Sequence, residues 1–75
     1  MEKTDLDGLQ NAYKEAVDRL VAAIRAEEAL ANADHSETAM EKWDRADFVV
    51  QDALDQAREA REHYKDGLRQ LHYGI

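Results

Sequence analysis

The sequence predicts an all-α protein: a two-helix antiparallel hairpin that dimerises into an antiparallel four-helix bundle. Its 75 residues include no proline and only three glycines, and one polar stretch, NADHSE at 32–37, interrupts an otherwise helical pattern. A chain this small buries a modest share of its surface, and usually needs disulfides, a metal or oligomerisation to be stable. Because cysteine is absent, disulfides and thiolate metal sites are excluded. We therefore expect self-association.

The first helix is predicted at about residues 5–33. Thr4 and Asp5 are candidate N-caps, and Asp7 places a negative charge near the positive end of the helix dipole. The apolar positions recur at steps of three and four and repeat after eleven residues, which indicates a nearly straight helix. They are Leu6, Leu9, Tyr13, Val17, Leu20 and Ile24. A stripe this broad is typical of a helix with more than one neighbour.

The second helix is predicted at about residues 36–73, after a turn at 34–35. Asp34 or Ser36 can accept a hydrogen bond from the first backbone N–H groups, and Glu37 follows Asp34 at capping-box spacing. Gly67 is a candidate C-cap. Since the apolar pattern continues beyond it to residue 71, we predict an uninterrupted helix. Residues 1–75 then form a single helical-hairpin domain.

Two stripes follow the second helix. The first is a heptad seam with alternating steps of three and four, which is typical of helix-on-helix packing: Met40, Trp43, Asp47, Val50, Leu54, Ala57, Arg61, Tyr64, Leu68, Leu71 and Ile75. The second contains only small residues at spacings of seven: Ala39, Ala46, Ala53, Ala60 and Gly67. Small side chains allow two helix backbones to approach closely, so this stripe predicts a close helix contact.

The charged residues of the seam suggest a register for the dimer. If two copies of the second helix pack antiparallel about a two-fold axis near Leu54, Asp47 of each chain faces Arg61 of the other. Such a charged pair can fix the register of a helical interface. The alternative is that both residues lie at the edge of the face, with the Arg61 stem along apolar surface. The predicted dimer interface is Ala39, Met40, Trp43, Ala46, Asp47, Val50, Ala53, Leu54, Ala57, Ala60, Arg61, Tyr64, Leu68 and Leu71.

The unequal lengths of the two predicted helices also favour a second copy of the chain. Folding about the turn leaves residues 64–75 beyond the start of the first helix, and this overhang carries apolar residues that need cover.

Composition limits the partners. The net charge of −7 disfavours direct binding to nucleic acid or to anionic membranes. No apolar run approaches the ~20 residues of a membrane span, and the opening residues MEKTDLDG lack the order of a secretory signal. Together with the absence of cysteine, this leads us to expect a cytoplasmic protein.

Two groups of residues resemble parts of a metal site or a catalytic site. His63 has Glu59 and Asp66 on the same helix, but no histidine follows a glutamate by three residues, as bundle metal sites require. Ser36 and Thr38 lie near His35, but N-capping explains Ser36 better than nucleophilic catalysis. We expect no metal, no cofactor and no enzymatic activity.

These features favour a non-enzymatic, acidic protein-interaction module, a homodimeric scaffold, adaptor or regulator that binds another protein. The alternative is a nucleic-acid mimic that blocks a nucleic-acid-binding protein. This alternative depends on a set of acidic residues on the second helix: Asp44, Asp52, Asp55, Glu59, Glu62 and Asp66. Basic residues among them reduce the negative electrostatic potential: Lys42, Arg45, Arg58, Lys65 and Arg69. The two differ in salt response, because charge-driven binding weakens steeply with ionic strength.

Overall fold

The computed structural model describes residues 3–32 and 35–74 and contains two helices that pack against each other. Helix α1 is Lys3–Glu28 and helix α2 is Glu37–Tyr73. No strand occurs within the described residues. The predicted all-α hairpin is therefore confirmed, and its dimerisation remains a prediction.

The hairpin is a rod. Its Cα atoms span 56 × 16 × 12 Å, and the 37 residues of α2 account for the long dimension at about 1.5 Å per residue. The radius of gyration is 17.1 Å, whereas a compact domain of this length has a value of roughly 11 Å. Both helices thus present long sides to their surroundings.

Helix α1 differs from its predicted bounds at both ends. It ends at Glu28, five residues before the predicted end near residue 33. After it, the amides of Leu30 and Ala31 donate to carbonyls three residues back, at 3.0 Å each, so the last turn tightens before the chain reverses. At the other end, the predicted cap candidates Thr4 and Asp5 lie inside the helix, which already includes Lys3.

Helix α2 agrees closely with its prediction. Ser36 is the N-cap, and its hydroxyl oxygen accepts a hydrogen bond from the Ala39 amide at 3.2 Å. The other candidate cap, Asp34, lies outside the described residues. The helix continues through Gly67 to Tyr73, as predicted. It ends at Gly74, which has a φ of 68° and donates its amide to the Gln70 carbonyl at 3.1 Å.

Small residues form the contact between the two helices. In α1 the buried residue is Ala16, and in α2 the buried residues are Ala53, Ala57 and Gly67. We call these four residues the closed contact. No large side chain of the described residues is completely buried. The close approach predicted from the small stripe is therefore made within one chain, because α1 covers Ala53 and Gly67 without a second copy.

The overhang is shorter than predicted. Tyr64 and Leu68 are half-buried and Gly67 is buried, so α1 covers α2 to about residue 68. Leu71 and Tyr73 remain exposed, and Ile75 lies outside the described residues. Part of this coverage comes from α1 already including Lys3, two residues before its predicted start.

Candidate protein-interaction face

One side of the hairpin carries four of the eight large apolar side chains that are exposed among the described residues. On α1, Tyr13, Val17, Val21 and Ile24 follow one another at steps of four, four and three, and so share one stripe. Val21 and Ile24 keep 49% and 46% of their surface exposed. Along its C-terminal half, the described residues of the chain cover this stripe only in part.

The matching stripe of α2 has heptad spacing. Met40, Asp47, Leu54 and Arg61 are separated by seven residues each, and Trp43 lies beside them. Met40 is 65% and Trp43 37% exposed, although both are apolar. This is the seam that the sequence predicts.

A shallow groove shows that the two stripes adjoin on the same side of the molecule. Its lining includes Tyr13 and Val17 from α1 and Leu54 and Arg61 from α2. We call the joined surface the hairpin face. It comprises Tyr13, Val17, Val21, Ile24, Met40, Trp43, Asp47, Val50, Leu54 and Arg61.

Two opposite charges interrupt the hairpin face. Asp47 and Arg61 are both exposed. Neither side chain forms an ion pair or a hydrogen bond with the described residues. Arg61 lies along the groove beside Tyr13 and Leu54. In the single chain, their position is that of the edge-of-face alternative.

The predicted interface residues differ in their exposure within the single chain. Those buried or half-buried are Ala39, Ala46, Val50, Ala53, Leu54, Ala57, Ala60, Tyr64 and Leu68. Those exposed are Met40, Trp43, Asp47, Arg61 and Leu71. The small residues of the first group belong to the contact within the hairpin, whereas the exposed group is available to a second body.

The sequence-based interface omitted the α1 half of the face. Tyr13, Val17, Val21 and Ile24 belong to it, and the breadth of the α1 stripe was the signal that could have included them. When the apolar stripe of a helix is wider than one neighbouring helix can cover, the uncovered part of the stripe is available to a second partner.

The groups considered for chemistry are dispersed or already engaged. The Ser36 hydroxyl serves as an N-cap. Asp66 pairs with Arg69 at 2.6 Å. Within the described residues, no group of three or more histidine, aspartate or glutamate side chains is arranged to hold a metal ion.

The outer side of α2 is acidic and partly neutralised. Glu62 pairs with Lys65 at 3.7 Å and Asp66 with Arg69 at 2.6 Å, which reduces the field toward the C-terminal end. Phe48 is 75% exposed. It follows Asp44 by one turn of the helix and therefore lies among these carboxylates.

In the part of the chain that the structure describes, neither helix combines the length and apolarity needed to cross a membrane. No protein-family model, curated protein or solved structure matches the chain.

Proposed function

We propose that the chain is a non-enzymatic protein-interaction module that forms a homodimer through the hairpin face. The observation that carries this proposal is the contrast in side-chain size. Alanine and glycine fill the closed contact, while Val21, Ile24, Met40 and Trp43 stay exposed on one side. No large apolar side chain of the described residues is fully buried, so much apolar surface is left that another molecule can cover.

The surface area supports the same proposal. The chain exposes 5827 Å². A folded monomer of 8.6 kDa is expected to expose only about 4,700 Å². The difference, roughly 1,100 Å², is similar to the ~800 Å² that each partner buries in a standard interface.

The dimer would leave the outer side of α2 available to another protein. This side carries the exposed Phe48 among carboxylates, a combination suited to an apolar pocket with a basic rim. As a homodimer, the chain would present this side twice, as a scaffold or adaptor does.

Trp43 allows a direct test, because it is the only tryptophan and lies on the hairpin face. Sedimentation equilibrium at micromolar concentrations should give twice the 8.6 kDa chain mass, and dilution should shift the tryptophan emission to the red as Trp43 becomes exposed. Unfolding should also move to higher temperature as concentration rises.

A matched pair of variants locates the interface. Trp43→Glu should dissociate the dimer, whereas Phe48→Glu, an aromatic replacement on the outer side of α2, should not. A stable monomer of the unmodified chain would contradict the proposal. Equal dissociation by both variants would show that the dimer uses another surface.

The alternative function is that of a nucleic-acid mimic. It is favoured by one observation: Asp44, Asp55 and Glu59 form no ion pair with the described residues. The ion pairs of Glu62 and Asp66 argue for a weaker field than a mimic needs. Binding to a nucleic-acid-binding protein that weakens steeply with salt would support the mimic, and salt-insensitive binding would exclude it.

A further inference from the structure

The two charges of the hairpin face cannot neutralise each other within one chain. Arg61 lies fourteen residues after Asp47 on the same continuous helix, a separation of roughly 21 Å along the axis. Both side chains lie on a face that the proposed dimer would cover. An isolated charge in a covered apolar face is costly, and a partner of opposite charge offsets much of that cost.

We infer that the occupant of the hairpin face is a second copy packed antiparallel, with the two-fold axis at the level of Leu54. This inference rests on the proposed homodimer and adds its register. Residues equally distant from Leu54 then face each other, so Asp47 of each chain meets Arg61 of the other. The four unpaired charges of the two chains become two interchain pairs, related by symmetry.

The side chains at the contact set the distance between the two α2 helices of the proposed dimer. Ala53 and Gly67 are covered by α1, so the contact between the two α2 helices is made by larger side chains such as Met40 and Leu54. Helices separated by such side chains lie about 8–10 Å apart. The arginine side chain is long enough to meet a carboxylate across that distance.

Charge reversal tests the pairing. Asp47→Arg and Arg61→Asp, each alone, should raise the dimer dissociation constant by more than about tenfold, because like charges then meet at two symmetric sites. The double variant restores opposite charges with reversed polarity and should return the constant to within about threefold of the unmodified value. Sedimentation velocity measures all four, and circular dichroism checks folding.

Two matched reversals on the outer side control for net charge. Asp55→Arg and Arg45→Asp change the charge by the same amounts at exposed positions away from the hairpin face, and each should leave the dissociation constant within about threefold.

Cross-linking tests the direction of packing without changing a charge. Because the chain has no cysteine, Leu54→Cys introduces a single thiol near the axis, and a short bis-maleimide should link the two copies there. Met40→Cys should not be linked, since antiparallel packing separates the two copies of position 40 by roughly 42 Å. A parallel dimer would link at both positions.

The outcomes separate this inference from the proposed function. If the unmodified chain is dimeric but the single reversals leave it so, or the double variant fails to recover, the register is wrong and the dimer stands. Efficient linking through position 40 would also overturn it. If the unmodified chain is monomeric, the proposed dimer itself fails, whatever the variants do.

Discussion

The closed contact and the hairpin face use opposite kinds of side chain. The closed contact buries Ala16 and Ala57 to 2% and 6% exposure, while Met40 on the hairpin face keeps 65% of its surface exposed. Small residues permit close approach but remove little apolar area from water. A large side chain contributes about 1.5–3 kcal/mol when fully buried. The closed contact therefore defines the hairpin, and covering the hairpin face would supply much of the remaining stability.

This comparison predicts two different responses to mutation. A change in the closed contact should affect the hairpin itself, whereas a change on the hairpin face should affect mainly the association of two hairpins. The measurements that distinguish them are the free energy of unfolding and its dependence on protein concentration.

The largest effect is expected from Ala16→Leu. This residue is 2% exposed, so the added side chain has no space without separating α1 from α2. Overpacking of this kind costs about 1–3 kcal/mol. Urea unfolding followed by circular dichroism should show the loss at every protein concentration.

The matched control is Ala22→Leu, the same replacement at an exposed position of α1. It should change the free energy of unfolding by less than about 0.5 kcal/mol. Equal effects of the two replacements would mean that Ala16 does not lie in a tight contact. The comparison between the two regions would then lose its basis.

The closed contact also shows what the sequence can predict. Spacing at heptad intervals identified small residues such as Ala53 and Gly67 as a site of close helix approach, and both are buried in the single chain. Periodicity within one helix does not specify which helix lies against it. The prediction assigned this stripe to a second copy, whereas α1 covers it in the single chain.

The start of α2 and the end of α1 differ in how well the sequence predicts them, for a similar reason. The start of α2 was predictable because Ser36 has a local capping role that needs only nearby amides. The end of α1 at Glu28 was not, because the following alanine-rich residues favour helix and only the reversal of the chain onto α2 interrupts them. Tertiary structure overrides propensity there.

A smaller effect is expected from Ile24→Ala on the hairpin face. In the single chain Ile24 is 46% exposed, so only part of its apolar surface is already covered by its own hairpin. Removing the remainder from a dimer interface should cost roughly 1 kcal/mol per chain. We expect a larger dissociation constant and a shallower rise of the unfolding midpoint with concentration, measured by sedimentation and thermal unfolding.

The control for this prediction is the free energy of unfolding at high dilution, where the hairpins are separate. There Ile24→Ala should cost less than at high concentration. A loss of the same size at all concentrations would assign Ile24 to the hairpin's own stability and would remove it from the hairpin face.

The smallest effect is expected from Gly8→Ala, which lies in neither region. Gly8 is exposed within α1, and a Cβ placed there meets nothing within 4 Å. Alanine reduces the conformational freedom of the unfolded chain and favours helix, so the variant should be more stable by about 0.5–1 kcal/mol. Chemical unfolding at several protein concentrations measures this gain.

Because Gly8→Ala leaves both surfaces unchanged, its gain should be the same at all concentrations and the dissociation constant should not move. It thus gives the response of a purely local change, against which the other two variants are compared. A shift in the dissociation constant would place residue 8 inside an interface, and the hairpin face would then extend around α1 beyond the stripe from Tyr13 to Ile24.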